Sequence, residues 1–74
     1  MLVEELQELI GAILGVHQVA PTDRLAEDLE AESVDVVNIV AALEDRHGVM
    51  FDDDALAEVR TVADLHDLVQ ATLR

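Results

Sequence analysis

Apolar residues recur along this chain at three- and four-residue intervals, the spacing that lines one face of an α-helix. Leu2, Leu6, Leu9, Ile10, Ile13 and Leu14 form the first such stripe, predicting a helix over residues 2–14. Gly11 inside it costs about 1 kcal/mol relative to alanine. Gly15 can close it in a left-handed conformation, and Pro21 keeps the following stretch non-helical. Between Val16 and Glu32 the apolar positions thin out to Val19, Leu25 and Leu29, a long loop pinned to the core by a few plugs. A second helix is expected from Ser33 to Gly48, with Val36, Ile39, Val40, Leu43 and His47 on its core side. The opposite side carries Val34, Val37 and Ala41, bordered by Asp35, Asn38, Glu44 and Asp45. An apolar strip rimmed by acids and turned from the core suits a partner with a greasy groove and basic edges. Asp52 to Asp54 favour the positive end of a short helix running to about Val59. Thr61 can cap a last helix with Asp64 three residues on, and Val62, Leu65, Leu68, Val69 and Leu73 supply its stripe. With no alternating strand pattern, the fold class is all-α: a small four-helix bundle of three longer helices and one short one, with a long first loop.

Seventy-four residues are expected to make one domain over 1–74, which buries only about 60–65% of the surface its unfolded chain exposes. Cysteine is absent, so helix packing rather than disulfides must supply stability. Four basic residues against seventeen acidic ones give a formal net charge of -13. Such a balance disfavours nucleic acid and anionic membrane surfaces, which require cationic neutralisation. It favours basic protein partners and weak binding of divalent cations, and it makes the native state self-repulsive, with crowded carboxyls raising one another's pKa. No apolar run reaches the ~20 residues of a membrane span, and the start of the sequence lacks a basic signal region, so a cytoplasmic protein is expected.

The candidate chemistry converges on Ser33, at the start of the second helix inside the acidic segment from Glu27 to Asp35. Taken alone it reads as a helix N-cap, whose oxygen accepts a backbone N–H. Its other role is as an attachment point for a phosphate-linked group, since a helix start offers free N–H groups and a positive dipole. Glu32 and Asp35 would repel that group and leave it available to a basic enzyme surface. No Gly-x-Ser-x-Gly elbow exists, and His17, His47 and His66 lack any helical pairing, so neither hydrolysis nor a metal centre is expected. Asp52 to Asp54 lack the alternating ligands and central glycine of a calcium loop. Nothing in the chain points to intrinsic catalysis.

The segment Leu25-Ala26-Glu27-Asp28-Leu29, the triplet Glu32-Ser33-Val34 and the run Ala42-Leu43-Glu44-Asp45 resemble the corresponding parts of the acyl carrier proteins. The resemblance covers most of the chain in register. Val49 to Phe51, Asp52 to Asp54, Thr61-Val62 and Asp64-Leu65 fall where that family has a loop, a short helix and a final helix. The resemblance implies that Ser33 receives a 4'-phosphopantetheine arm from coenzyme A through a phosphopantetheinyl transferase. The arm would then carry acyl thioesters between enzymes of fatty-acid, polyketide or related synthesis. It further implies a non-catalytic monomer that docks on basic patches of these synthases through Val34, Asp35, Val37, Ala41, Glu44 and Asp45. An acyl chain would shelter among Val40, Leu43, Phe51, Leu56 and Val59. Departures from the common family pattern are Glu30 for a glycine, Glu32 for an aspartate, Val34 for a leucine and His47 for a phenylalanine, which points to a specialised member. A peptidyl or aminoacyl carrier and an unmodified acidic interaction module are the alternatives.

Overall fold

The computed structural model describes residues 1–74 as four helices and no strands: α1 (Val3–Leu14), α2 (Ser33–His47), α3 (Asp53–Ala57) and α4 (Val62–Thr72). Helix α1 packs against α2 and α4, and α3 packs against α4. One core runs through the molecule. It joins Leu6 and Ile10 of α1, Ile39 and Leu43 of α2, and Val62, Leu65 and Val69 of α4, with Val19, Leu25 and Phe51 plugging in from the connections. No charged or polar side chain is buried in it.

The stripes end sooner than the periodicity suggested. Leu2 precedes α1 as its cap and is 65% exposed, and Leu73 lies beyond the end of α4 and is 40% exposed. Helix α3 stops at Ala57 rather than continuing to Val59, because the N–H of Glu58 turns back to Ala55 and Leu56.

The long loop is fixed at several points. Gln7 Nε2 donates to the Val19 carbonyl. Leu25 N donates to Arg60 O at 2.9 Å and Val62 N to Asp23 O at 3.0 Å, a single antiparallel bridge that ties the loop to the start of α4. Ala63 N to Pro21 O at 2.8 Å adds a third link. Backbone groups are therefore satisfied where the loop crosses the bundle.

Gly11 is required by close approach. It is buried, and a Cβ there would lie 2.8 Å from the Val16 carbonyl oxygen. That oxygen is main chain at the turn closing α1, where Gly15 and Val16 both donate to Gly11 O. Helix propensity alone favours Gly11→Ala by about 1 kcal/mol. The clash reverses the sign: Gly11→Ala is expected to lower the melting temperature, while Ala12→Gly on the exposed side loses only the propensity term. Thermal unfolding followed by circular dichroism checks the pair.

Candidate functional site

Ser33 is the only serine in the chain and is solvent-exposed. It occupies the first helical position of α2, so the cap is Glu32 and not Ser33. The extended backbone of Glu32 (φ -86°, ψ 169°) turns the chain into the helix, and its N–H donates to Asp35 Oδ2 at 2.9 Å. Asp35 thereby does the reciprocal half of a capping box, fixing the helix start from inside. The Ser33 hydroxyl forms no hydrogen bond within the protein. At a first-turn position the backbone N–H groups of Ser33 and Val34 have no intrahelical acceptor and face the positive end of the dipole.

Approach to this serine is set by the loop. Arg24 N donates to Asp28 Oδ2 at 2.8 Å, and the Arg24 guanidinium grips both Asp28 oxygens at 3.2 Å. This clamp lies within the acidic approach segment, followed by Ala31 N to Leu25 O at 2.9 Å. Between them Glu30 adopts φ 56°, a left-handed conformation uncommon for a residue with a Cβ. Glycine, the residue common at this position in the family resembled above, relieves that strain.

On the outer side of α2, Val34 and Val37 are 58% and 63% exposed, and Ala41 and Asp45 are also open to solvent. Asp35 and Glu44 are only half-exposed, each with a structural duty: Glu44 Oε2 accepts from Phe51 N at 2.9 Å and holds the chain after Gly48 (φ 65°) against the helix. The sequence pattern did not disclose that bond, which joins residues seven apart across a helix end. Val37, Ala41, Val40, Phe51, Leu56 and the exposed Met50 line an open groove of about 380 Å³.

A second, more enclosed cavity of about 270 Å³ opens between α2, α3, the start of α4 and the loop. Val36 and Val40 form one wall, with Leu56, Val59, Leu25 and Leu65 around them. Of the residues expected to shelter a chain, Val40, Leu56 and Val59 line this cavity, and Phe51 lines only the groove. Leu43 lines neither, since it is fully buried in the core. Two charged residues, Glu27 and Arg60, complete the lining.

The histidines are scattered. His66 Nε2 lies 2.7 Å from the Met1 carbonyl, His17 is exposed in the loop, and His47 is half-buried at the end of α2 with Nε2 lacking a partner. No group of three or more His, Asp or Glu side chains is arranged to hold a metal ion.

Three carboxyls have displaced pKa values, and all are lowered. Backbone N–H groups of Thr61 and Arg60 hold Asp64 below the usual carboxylate range, the Arg24 side chain does so for Asp28, and the Leu2 N–H for Glu5. At these three, hydrogen bonds to the charged form outweigh the opposing effect of desolvation. Asp64 offers the clearest reading, because it accepts from both backbone N–H groups at 3.1 Å while Thr61 Oγ1 accepts from Asp64 N at 3.1 Å. A lowered folded pKa gives stability that is present above the ordinary pKa of about 4 and lost as pH falls through the folded value. Asp64→Ala is therefore expected to melt about 3–6 °C below the parent at pH 7, the usual scale for a lost cap. The gap should narrow as the pH falls through the lowered Asp64 pKa, and melting curves of both proteins across pH test it.

Comparison with known proteins adds a family match, two relatives and a solved structure. Residues 4–69 match the family described as "Phosphopantetheine attachment site". The chain is 34% identical over 71 residues to an acyl carrier protein of Thermobifida fusca, covering 93% of this chain and 90% of the relative. It is 36% identical over 72 residues to acyl carrier protein 3 of Ralstonia nicotianae, covering 95% and 83%. A solved structure from Mycobacterium tuberculosis, assigned as an acyl carrier protein, superposes with a TM-score of 0.87 over 93% of this chain and 95% of that one. At 21% identity that superposition speaks for the fold.

Proposed function

The chain belongs to the acyl carrier protein family, whose members bear a covalent 4'-phosphopantetheine arm, and from that premise we propose that Ser33 bears the arm and that the protein carries acyl intermediates for a fatty-acid or polyketide type of synthesis. The observation that carries the assignment is the only serine of the chain, exposed with a free hydroxyl on the first turn of α2, inside the matched region.

Attachment transfers the phosphopantetheinyl phosphorus of coenzyme A to the Ser33 oxygen. The serine O–H and the diphosphate bond break, a P–O bond forms, and 3',5'-ADP leaves. Ser33 has no activating histidine in its own turn, and the nearest residues are acids, so the transferase supplies the base that takes the proton. When bound, the arm supplies a terminal thiol that holds acyl groups as thioesters, a chemistry this cysteine-free chain lacks. Ser33 fits the group because the exposed α2 start offers N–H groups to a phosphodiester. Glu32 and Asp35 flank the linkage and discourage the arm from lying along the helix.

Partners are phosphopantetheinyl transferase and acyl-processing synthases with basic patches. Val34, Val37 and Ala41 supply the apolar contact, and Asp35, Glu44 and Asp45 supply the charge. Asp45 is the cleaner electrostatic probe, since Glu44 also anchors Phe51. Cargo identity tests the function directly. Mass spectrometry of protein isolated from cells should find acyl thioesters on the arm; aminoacyl thioesters in their place would assign it as an aminoacyl carrier.

A further inference from the structure

Of the four arginines, Arg24 pairs with Glu27 and Asp28, and Arg46 with Glu5. Arg74 ends the chain. Arg60 is the only arginine that lines the enclosed cavity, and, like Arg74, its guanidinium makes neither an ion pair nor a hydrogen bond within the protein. Its backbone is fixed, since Arg60 O accepts from Leu25 N and Arg60 N donates to Asp64 Oδ2. An exposed arginine with an anchored backbone thus carries five unpartnered donors at the edge of a cavity whose lining is apolar apart from Glu27.

The cavity is within reach of Ser33. Val36 and Val40 follow it by three and seven residues on one face of α2, about 4–5 Å and about 10 Å along the axis. The wall of the cavity therefore begins within one turn of the attachment residue. A volume of about 270 Å³, set against the ~30 Å³ share of a water, has room for about nine groups of that size.

We propose that Arg60 is a specificity-determining residue, and that the cavity takes a short acyl chain bearing a neutral oxygen, keto or hydroxyl, in preference to a saturated chain. The inference rests on the reading of Ser33 as the attachment point. Glu27 decides between neutral and anionic cargo: it shares the lining with Arg60, so a second carboxylate on the chain would meet a like charge. A keto oxygen accepts from the guanidinium without that opposition, and a hydroxyl can also donate to Glu27. A saturated chain fills the apolar walls equally well but leaves the Arg60 donors to water.

The test loads the protein from octanoyl-, 3-oxo-octanoyl- and 5-oxo-octanoyl-coenzyme A and compares melting temperatures of the loaded forms, for the parent and for Arg60→Met, which keeps a long side chain and removes every donor. In the parent at least one oxo chain should raise the melting temperature about 3–6 °C more than octanoyl, the scale of one hydrogen bond to a charged donor at a partly open site. The difference should vanish in Arg60→Met, while the gain from octanoyl itself persists. Equal gains for all three chains in the parent, or an oxo preference surviving in Arg60→Met, would overturn the proposal. The unloaded Arg60→Met protein should melt like the parent, because the loop bridge uses main-chain atoms only. Intact mass separates the two readings: normal loading with no oxo preference defeats the Arg60 inference alone, whereas failure of any arm to attach defeats the Ser33 assignment and this inference with it.

Discussion

Leu43→Glu is expected to abolish the folded state, whereas Val37→Glu, on the same helix, should melt within a few degrees of the parent. Leu43 is fully buried in the core between α1, α2 and α4, with no cationic or polar side chain buried around it. The substitution removes a packed leucine, worth about 2–5 kcal/mol by comparison with truncations of such residues, and replaces it with a charge that has no partner. A chain of this size has only about 4–11 kcal/mol in hand. Val37 loses little in the free protein, because most of its side chain already faces water, and exposed substitutions stay within about 0.5 kcal/mol. Its loss is expected in the complex, where a carboxylate in the apolar strip must be desolvated against the partner. Circular dichroism and melting, read beside the rate of arm attachment by a transferase, check both halves. Unfolding by Val37→Glu with Leu43→Glu still folded would reverse the two faces of α2 and end the docking proposal.

The contrast between those two valine- and leucine-bearing faces was legible in the sequence because helical periodicity depends on spacing alone. So were the Thr61 and Asp64 cap of α4 and the stop of α1 at Gly15, whose determinants lie within four residues of one another. What escaped depends on contacts between distant segments. The need for Gly11 comes from a carbonyl folded back from Val16, and Glu44 gains its anchoring role only once the chain turns at Gly48 and brings Phe51 N to it. Leu2 and Leu73 keep the right phase for burial but sit at helix caps, where they stay exposed. At the site, the sequence placed Ser33 at the helix start but left it as a possible cap, because one residue separates cap from first turn and the choice lies in the backbone angles of Glu32. Arg60 carried no signal at all. A lone arginine between Val59 and Thr61 reads as a surface residue until α2, α3 and the loop close a cavity beside it.

Ser33→Ala is expected to eliminate attachment of the arm completely while leaving the fold intact. The hydroxyl forms no hydrogen bond in the protein, and alanine is a better helix former than serine at an exposed first-turn position, so stability should change by less than about 0.5 kcal/mol. The acidic flanks, the outer face of α2 and the loop clamp of Arg24 on Asp28 all remain, so a transferase still meets the same surface. The remaining alcohols are the threonines Thr22, Thr61 and Thr72. Thr61 Oγ1 is engaged in capping α4, and neither Thr22 nor Thr72 begins a helix. None offers the exposed first-turn geometry that Ser33 has. The decisive measurement is intact mass after incubation with coenzyme A and a broad-specificity phosphopantetheinyl transferase, run in parallel on the parent and on Ser33→Ala with their circular dichroism compared. The parent should gain one phosphopantetheinyl group and Ser33→Ala none, with the same helical spectrum; an arm attached to Ser33→Ala, or a parent that stays unmodified while a known carrier in the same reaction is converted, would contradict the assignment.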